Sequence, residues 1–269
     1  MICDLGFLSL VSPAAIADDW QKYTALLGNF YLLDQQEFKS ISCSIDVSTL
    51  DELLANLKQQ VSSLKDDFQI DDTLNKYSLS FDKAAGLRIV DPTLGITILT
   101  EQGMANPALV KSGISKTTDG FNGVAQGADK EITGVFDSYI MPKQADIKLE
   151  SVAGDSGHYV ARYVKGGLDT METMDGSDIR SVQTSQGINA VAESHYGKTD
   201  GDKFLMLKSE VHMDMAQEKI DMGVSVTYQK VDLLQLPETI IVKGTVSLST
   251  SMQMQVATTI TLNNCQVVK

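Results

Sequence analysis

Gly154-Asp155-Ser156-Gly157 carries the residue types of a serine-nucleophile loop, so it is the first place to look for chemistry in this chain. A serine nucleophile needs a base within hydrogen-bond reach and a third group to orient that base. No Ala-Ala-His-Cys segment supplies the base, and no Gly-Pro follows the tetrapeptide. It falls between two runs that read as strands, where Gly-Asp-Ser-Gly is good turn chemistry. His158, His195 and His212 all lie inside predicted strands, none at metal-ligand spacing from another. His212-Met213-Asp214-Met215 offers imidazole and thioether, a copper-type donor set, but neighbouring strand residues point to opposite faces. Glu193-Ser194-His195 diverges in the same way. The chain has no GxGxxG, P-loop, HExxH or EF-hand pattern. The reading is a protein that is not an enzyme, with no catalytic residues, no metal and no cofactor.

Methionine says more. Of 11 Met, eight lie between residues 171 and 254, most of them alternating with Val, Leu or another Met. An unbranched, polarizable side chain lets such a face adapt to variable apolar ligands, and it equally fills an ordinary core. The residues that pick out a lipid-contacting surface are Met213, Met215, Met222, Val224 and Val226.

A second feature with a regular spacing is the segment 113–134, in which Gly113, Gly120, Gly127 and Gly134 recur every seven residues. Each interior helix glycine costs roughly 0.5–1 kcal/mol relative to alanine. Yet Ile114, Phe121, Val124, Ala125, Ala128, Ile132, Val135 and Phe136 keep a helical apolar stripe, which a linker has no reason to do. The spacing predicts a helix broken near 118–120, with Asp119 capping its second half and the glycines free to let another surface approach closely; the alternative is a loop with one short helix. Low intrinsic stability would suit a lid, and Ile114, Phe121, Val124, Val135 and Phe136 are its expected lipid-facing residues.

The elements that must position these groups follow from periodicity. An amphipathic helix is predicted over 18–37 from Trp20, Tyr23, Leu26, Leu27, Phe30 and Leu33. Ile41, Cys43, Ile45 and Val47 alternate as a strand, and Thr49-Leu50-Asp51-Glu52 reads as a capping box that opens a second helix. A short antiparallel meander follows, from Tyr77, Leu79 and Phe81 through 87–90 to 96–99. Asn106-Pro107 is a helix start, with Asn as cap and Pro in the first turn. Strands are expected at 145–152, 157–165, 167–174, 179–184, 188–196, 203–215, 220–231, 238–249 and 252–268. The fold class is α+β: a large curved antiparallel sheet, an unclosed half-barrel, with helices covering the concave face. No linker or composition break appears, so residues 18–269 read as a single domain.

With 269 residues, 43% of them apolar, the chain can bury a sizeable core. A net charge of −13 argues against nucleic acid, which needs clustered Lys and Arg. Residues 5–16 are mostly apolar and lead to Ala15-Ile16-Ala17, which predicts an exported protein with a signal peptide over 1–17, although Asp4 stands where a basic residue is usual. The alternative is a buried N-terminal segment. Removal of Cys3 with the leader would leave Cys43 and Cys265, which either form a disulfide or stay as two buried thiols.

Val226-Thr227-Tyr228-Gln229-Lys230-Val231-Asp232, Leu236-Pro237-Glu238-Thr239-Ile240 and Thr258-Thr259-Ile260-Thr261-Leu262-Asn263-Asn264 together resemble the ending of the LolA/LppX-like superfamily of exported lipid and lipoprotein carriers. The order of helices and strands is similar too. The resemblance implies a half-barrel whose apolar cavity takes acyl chains without covalent chemistry or cofactor. It implies a periplasmic or other extracytoplasmic location, a lipid or acylated lipoprotein as partner, and a membrane-protein donor or acceptor. The chain departs from that pattern in its acidity, in its long glycine-rich insert and in lacking a strand Arg that matches a lid-latching role. The alternative is an exported structural or protein-interaction module with a filled core and no small ligand.

Overall fold

The computed structural model describes residues 13–62, 67–101, 104, 106–185, 187–199, 201–215, 218–248 and 252–269. Among these residues the fold is α+β: twelve strands form one unclosed antiparallel sheet, two more pair as a separate ribbon, and three α-helices precede the long β run. By its internal contacts the chain divides into two compact units. One takes the residues up to Tyr31 with Met141–Ile220, the other Leu32–Ile140 with Asp221–Lys269. Each unit draws on two separated stretches of chain, so no linker or composition break marks them in the sequence.

The first unit begins with α1 (Pro13–Leu27), which packs against β6 (Ile147–Gly154). Residues 1–12 of the expected leader lie outside the described residues, and Ala15-Ile16-Ala17 falls within α1. The helix stops ten residues short of the predicted end. Gly28 N–H bonds back to Thr24 O, and Phe30 then forms an isolated bridge to Phe204. The strands follow in simple up-and-down order: β6, β7 (His158–Lys165), β8 (Leu168–Asp175), β9 (Asp178–Ser185), β10 (Ile188–Lys198) and β11 (Phe204–Met215). Gly166 and Gly167, at φ +60° and +82°, make the two-residue turn between β7 and β8 that a β-branched residue would strain.

The second unit is ordered β4 (Gly86–Val90), β3 (Ser78–Asp82), β1 (Ser40–Val47), β14 (Met252–Val268), β13 (Leu234–Leu248) and β12 (Glu218–Val231, in this unit from Asp221). Ile41, Cys43, Ile45 and Val47 are all at most 3% exposed, as their alternation demands. In register beside them lie Leu79 and Phe81 on β3 and Ile260 and Leu262 on β14. Two helices bury this face: α2 (Ser48–Val61) against β1 and β14, and α3 (Pro107–Asp137) against β4, β13 and the ribbon strand β5 (Leu94–Ile98).

Three local expectations are corrected. The capping box is not used: α2 starts at Ser48 with no side-chain cap, because Thr49 Oγ1 bonds Thr258 Oγ1 and Ser48 Oγ accepts from Thr259 N–H. The meander stops at the β3–β4 hairpin, since β5 pairs instead with β2 (Phe68–Asp72), whose acidic residues hid its short apolar alternation. Last, α3 is a continuous helix of 31 residues with no break at 118–120 and no cap at Asp119. It opens as expected, with Asn106 Oδ1 accepting from Leu109 N–H and Pro107 in the first turn. Its glycines have a different role from the expected one. A Cβ built on Gly113, Gly120, Gly123, Gly127 or Gly134 meets no atom within 4 Å, so all five face open space rather than a closely approaching surface.

Candidate functional site

Pleating sorts the residues of β7–β11 onto two faces, and the registers show which share each one. On one face Thr173, Arg180, Glu193 and Glu210 form a row across four strands, with Asp178, His195 and Lys208 beside it. These groups pair among themselves: Arg180 Nε–Glu193 Oε1 at 3.2 Å, His195 Nδ1–Asp178 Oδ1 at 2.7 Å, Lys208 Nζ–Glu210 Oε1 at 2.5 Å. They line a shallow concavity of about 440 Å³. Each charge is exposed and already has a neighbour of opposite sign, the arrangement of a solvated outer face.

The other face is different. Successive cross-strand rows read Tyr159–Met174–Ile179–Ser194–Ser209, then Ala161–Glu172–Ser181–Ala192–Val211, then Tyr163–Thr170–Gln183–Ala190–Met213, with Ile188–Met215 beyond. Toward β7 and β8 this face is closed: Tyr159, Ala161, Tyr163, Thr170 and Met174 are buried, and Tyr23 of α1 packs at a tilt against Tyr163 with ring centroids 6.0 Å apart. Toward β9–β11 it opens, and Ile179, Ser181, Gln183, Ile188, Ala192, Val211, Met213 and Met215 are only half-buried. The many small residues there leave a floor of backbone and Cβ atoms with Met and Ile standing around it.

Glu172 sits at the boundary. Tyr159 donates to its Oε1 at 2.5 Å and Tyr163 to its Oε2 at 3.0 Å. Burial pushes the Glu172 carboxyl above the usual carboxylate range, against the two tyrosine hydrogen bonds and Lys165, which act the other way. Burial, and next the charge of Glu172, push the Tyr159, Tyr163 and Tyr23 hydroxyls well above the usual phenol range, so they remain donors. Directly opposite Glu172, the Ser181 hydroxyl is enclosed and has no hydrogen-bond partner.

The residues singled out from sequence divide between the units. Met213 and Met215 stand on the half-open face of β11. Met222, Val224 and Val226 lie on β12 in the second unit, Val224 and Val226 buried. Phe121, Val135 and Phe136 of α3 are at most 2% exposed, packed into the core of that unit, while Ile114 and Val124 are half-buried on the same helix. Cys43 and Cys265 are joined as a disulfide between β1 and β14, at the bulge between Ser42 and Ser44. Gly154-Asp155-Ser156-Gly157 is the β6–β7 turn, with Asp155 Oδ1 accepting from Gly157 and His158 N–H. His212 is exposed on the face opposite Met213, as pleating requires. Among the described residues, no group of three or more His, Cys, Asp or Glu is placed to hold a metal ion.

Glu172, Tyr159, Tyr163 and Ser181 were not singled out from sequence. A signal was present: Leu168, Thr170, Glu172 and Met174 share one side of a strand, with Leu168 and Met174 at its two ends, and Tyr159, Ala161 and Tyr163 share one side of the strand before it. An acid on the inward parity of a strand is costly to bury without partners, and the two tyrosines are those partners.

No protein-family model, no curated protein and no solved structure matches this chain.

Proposed function

We propose that this protein is a non-catalytic binder and carrier of a lipid or of a lipoprotein's acyl chain. The observation that carries the reading is the half-open apolar face of β9–β11, where Ile179, Ile188, Val211, Met213 and Met215 surround small residues. In this unit α1 packs at the far edge, against β6, and leaves that face partly exposed. Half-exposed Met and Ile beside Ala and Ser suit a flexible chain, because methionine adapts its shape and small residues leave depth. The ligand surface is thus assigned to the first unit, whereas the apolar residues of α3 serve the core of the second.

An exported, extracytoplasmic location belongs to the same proposal. The Cys43–Cys265 disulfide supports it, since such bonds persist in oxidising compartments. The resemblance of the last strands to LolA/LppX-like carriers supports it from the sequence side and brings with it a membrane-protein donor or acceptor. Among the described residues no helix is long and apolar enough to cross a membrane.

The test is native mass spectrometry of gently purified protein, paired with titration of the delipidated protein with an uncharged naphthylamine dye. Expected outcomes are a co-purifying lipid mass and dye fluorescence that lipid displaces. A protein that carries no lipid and leaves the dye dark is not a carrier, and a filled structural or protein-interaction module takes its place.

A further inference from the structure

Glu172 is a carboxyl held in place without a counter-ion among the described residues. Two tyrosine hydroxyls fix its oxygens. Among the described residues no ion pair reaches it, and Lys165, exposed at the strand end, acts on it only at longer range. Three aromatic rings gather around it, Tyr159 and Tyr163 in contact and Tyr23 packed at a tilt against Tyr163, with Tyr196 close to their hydroxyls. Ser181 Oγ, which among the described residues of this unit is the one enclosed hydroxyl without a partner, lies directly across from it in register. A structure that encloses an unpaired hydroxyl gives up a hydrogen bond there, which a ligand atom can restore. This cluster also stands where the closed half of the face meets the open half, so a chain lying over Ala192, Val211, Met213 and Met215 ends at Glu172.

Ionised, Glu172 repels an anionic headgroup and attracts a cation, and a cation beside it offsets the burial that favours its neutral form. Three N–H donors match what is on offer: carboxylate lone pairs left free by the tyrosines, and the oxygen of Ser181. We propose that Glu172, Ser181 and the surrounding tyrosines form a headgroup site for a primary ammonium, so that the ligand is a long-chain amine or an amine-headed lipid. The proposal rests on the lipid-binding reading above and narrows it to one headgroup class.

Three probes with the same chain separate the two ideas: dodecylammonium, dodecanol and dodecanoate, titrated calorimetrically into the full-length protein below their micelle concentrations. Ionic strength is set at ~0.15 M so that the general negative field of the protein is screened. The wild type is expected to bind dodecylammonium about tenfold more tightly than dodecanol, and dodecanoate more weakly than either. Glu172→Gln removes the charge and keeps the shape. It should bring dodecylammonium down to the affinity of dodecanol while leaving dodecanol unchanged. A variant that keeps the ammonium preference overturns the site, as does a wild type that binds all three probes equally; in both cases the apolar reading stands. A wild type that binds none of them overturns both. If circular dichroism shows that Glu172→Gln does not fold, Ser181→Ala decides. It removes an enclosed hydroxyl that has no partner, and a roughly threefold loss of ammonium preference is expected. An unchanged preference in a folded Ser181→Ala protein counts against the site.

Discussion

Tyr77 donates its phenolic hydrogen to Asp129 Oδ1 at 2.6 Å, tying the start of β3 to the middle of α3. Asp91, just past β4, acts on the same carboxyl as a second acid. Burial first, and then this second acid, raise the Asp129 pKa to about 6 against the pull of Tyr77. A folded pKa above the ordinary carboxylate value means that the fold favours the protonated form. The resulting stabilisation is complete below pH ~4 and is lost as pH rises through about 6. Asp129→Asn keeps the shape and removes the titration. It should melt roughly 2–4 °C above the wild type at pH 8, with the gap closing by pH 4.5. Parallel melting curves for the two proteins across that range would show that Asp129 does not titrate this way.

The glycines of α3 lead to a prediction opposite in sign to what a tight interface requires. Gly120 and Gly127 are exposed and a Cβ at either meets nothing within 4 Å. Alanine there removes backbone entropy from the unfolded chain and clashes with nothing. The double variant Gly120→Ala/Gly127→Ala is expected to gain about 1–2 kcal/mol in urea unfolding. A lower denaturation midpoint would mean that the bare face is occupied in solution.

These two cases mark where the sequence was legible. Alternation placed β1 and every strand from β6 to β14 within a few residues, because each buries one side and a period of two survives in the chain. Asn106-Pro107 located the start of α3 because capping is local chemistry. The break expected at 118–120 came from glycine propensity, which burial of Phe121, Ala125, Ala128, Ile132, Val135 and Phe136 outweighs. The pairing of β5 with β2 was not legible, since a five-residue strand carries no mark of its partner. Nor was the Glu172 cluster, which exists only once Tyr159, Tyr163 and Ser181 are brought beside it by register.

The disulfide closes a separation of 222 residues and joins the first strand of the sheet to the last. Long loops have the most unfolded-state entropy to lose, and removal of such a bond typically costs about 2–5 kcal/mol. Cys43 is 3% exposed, so reductant should act slowly on the native protein and quickly during unfolding. Cys43→Ser/Cys265→Ser, or unfolding in dithiothreitol, should lower the urea midpoint by an equivalent amount. Identical midpoints with and without reductant would indicate that the two thiols are not bridged in the isolated protein.

The apolar face of β11 gives the most direct check on ligand binding, because neighbouring residues of one strand supply both the test and its control. Met213 and Met215 stand half-buried on the open face, while Asp214 between them is exposed on the charged one. Met213→Asp or Met215→Asp places a carboxylate where an alkyl chain would lie, and burying an unpaired charge costs several kcal/mol. The naphthylamine dye should then bind at least about tenfold more weakly. Because both sites are half-open, the free protein can keep the new carboxylate in water, and its melting temperature should move little. Asp214→Asn should leave dye binding unchanged. If all three variants bind the dye as the wild type does, the ligand lies elsewhere. If Asp214→Asn weakens binding as much as the methionine variants, the effect belongs to the strand as a whole and not to its apolar side.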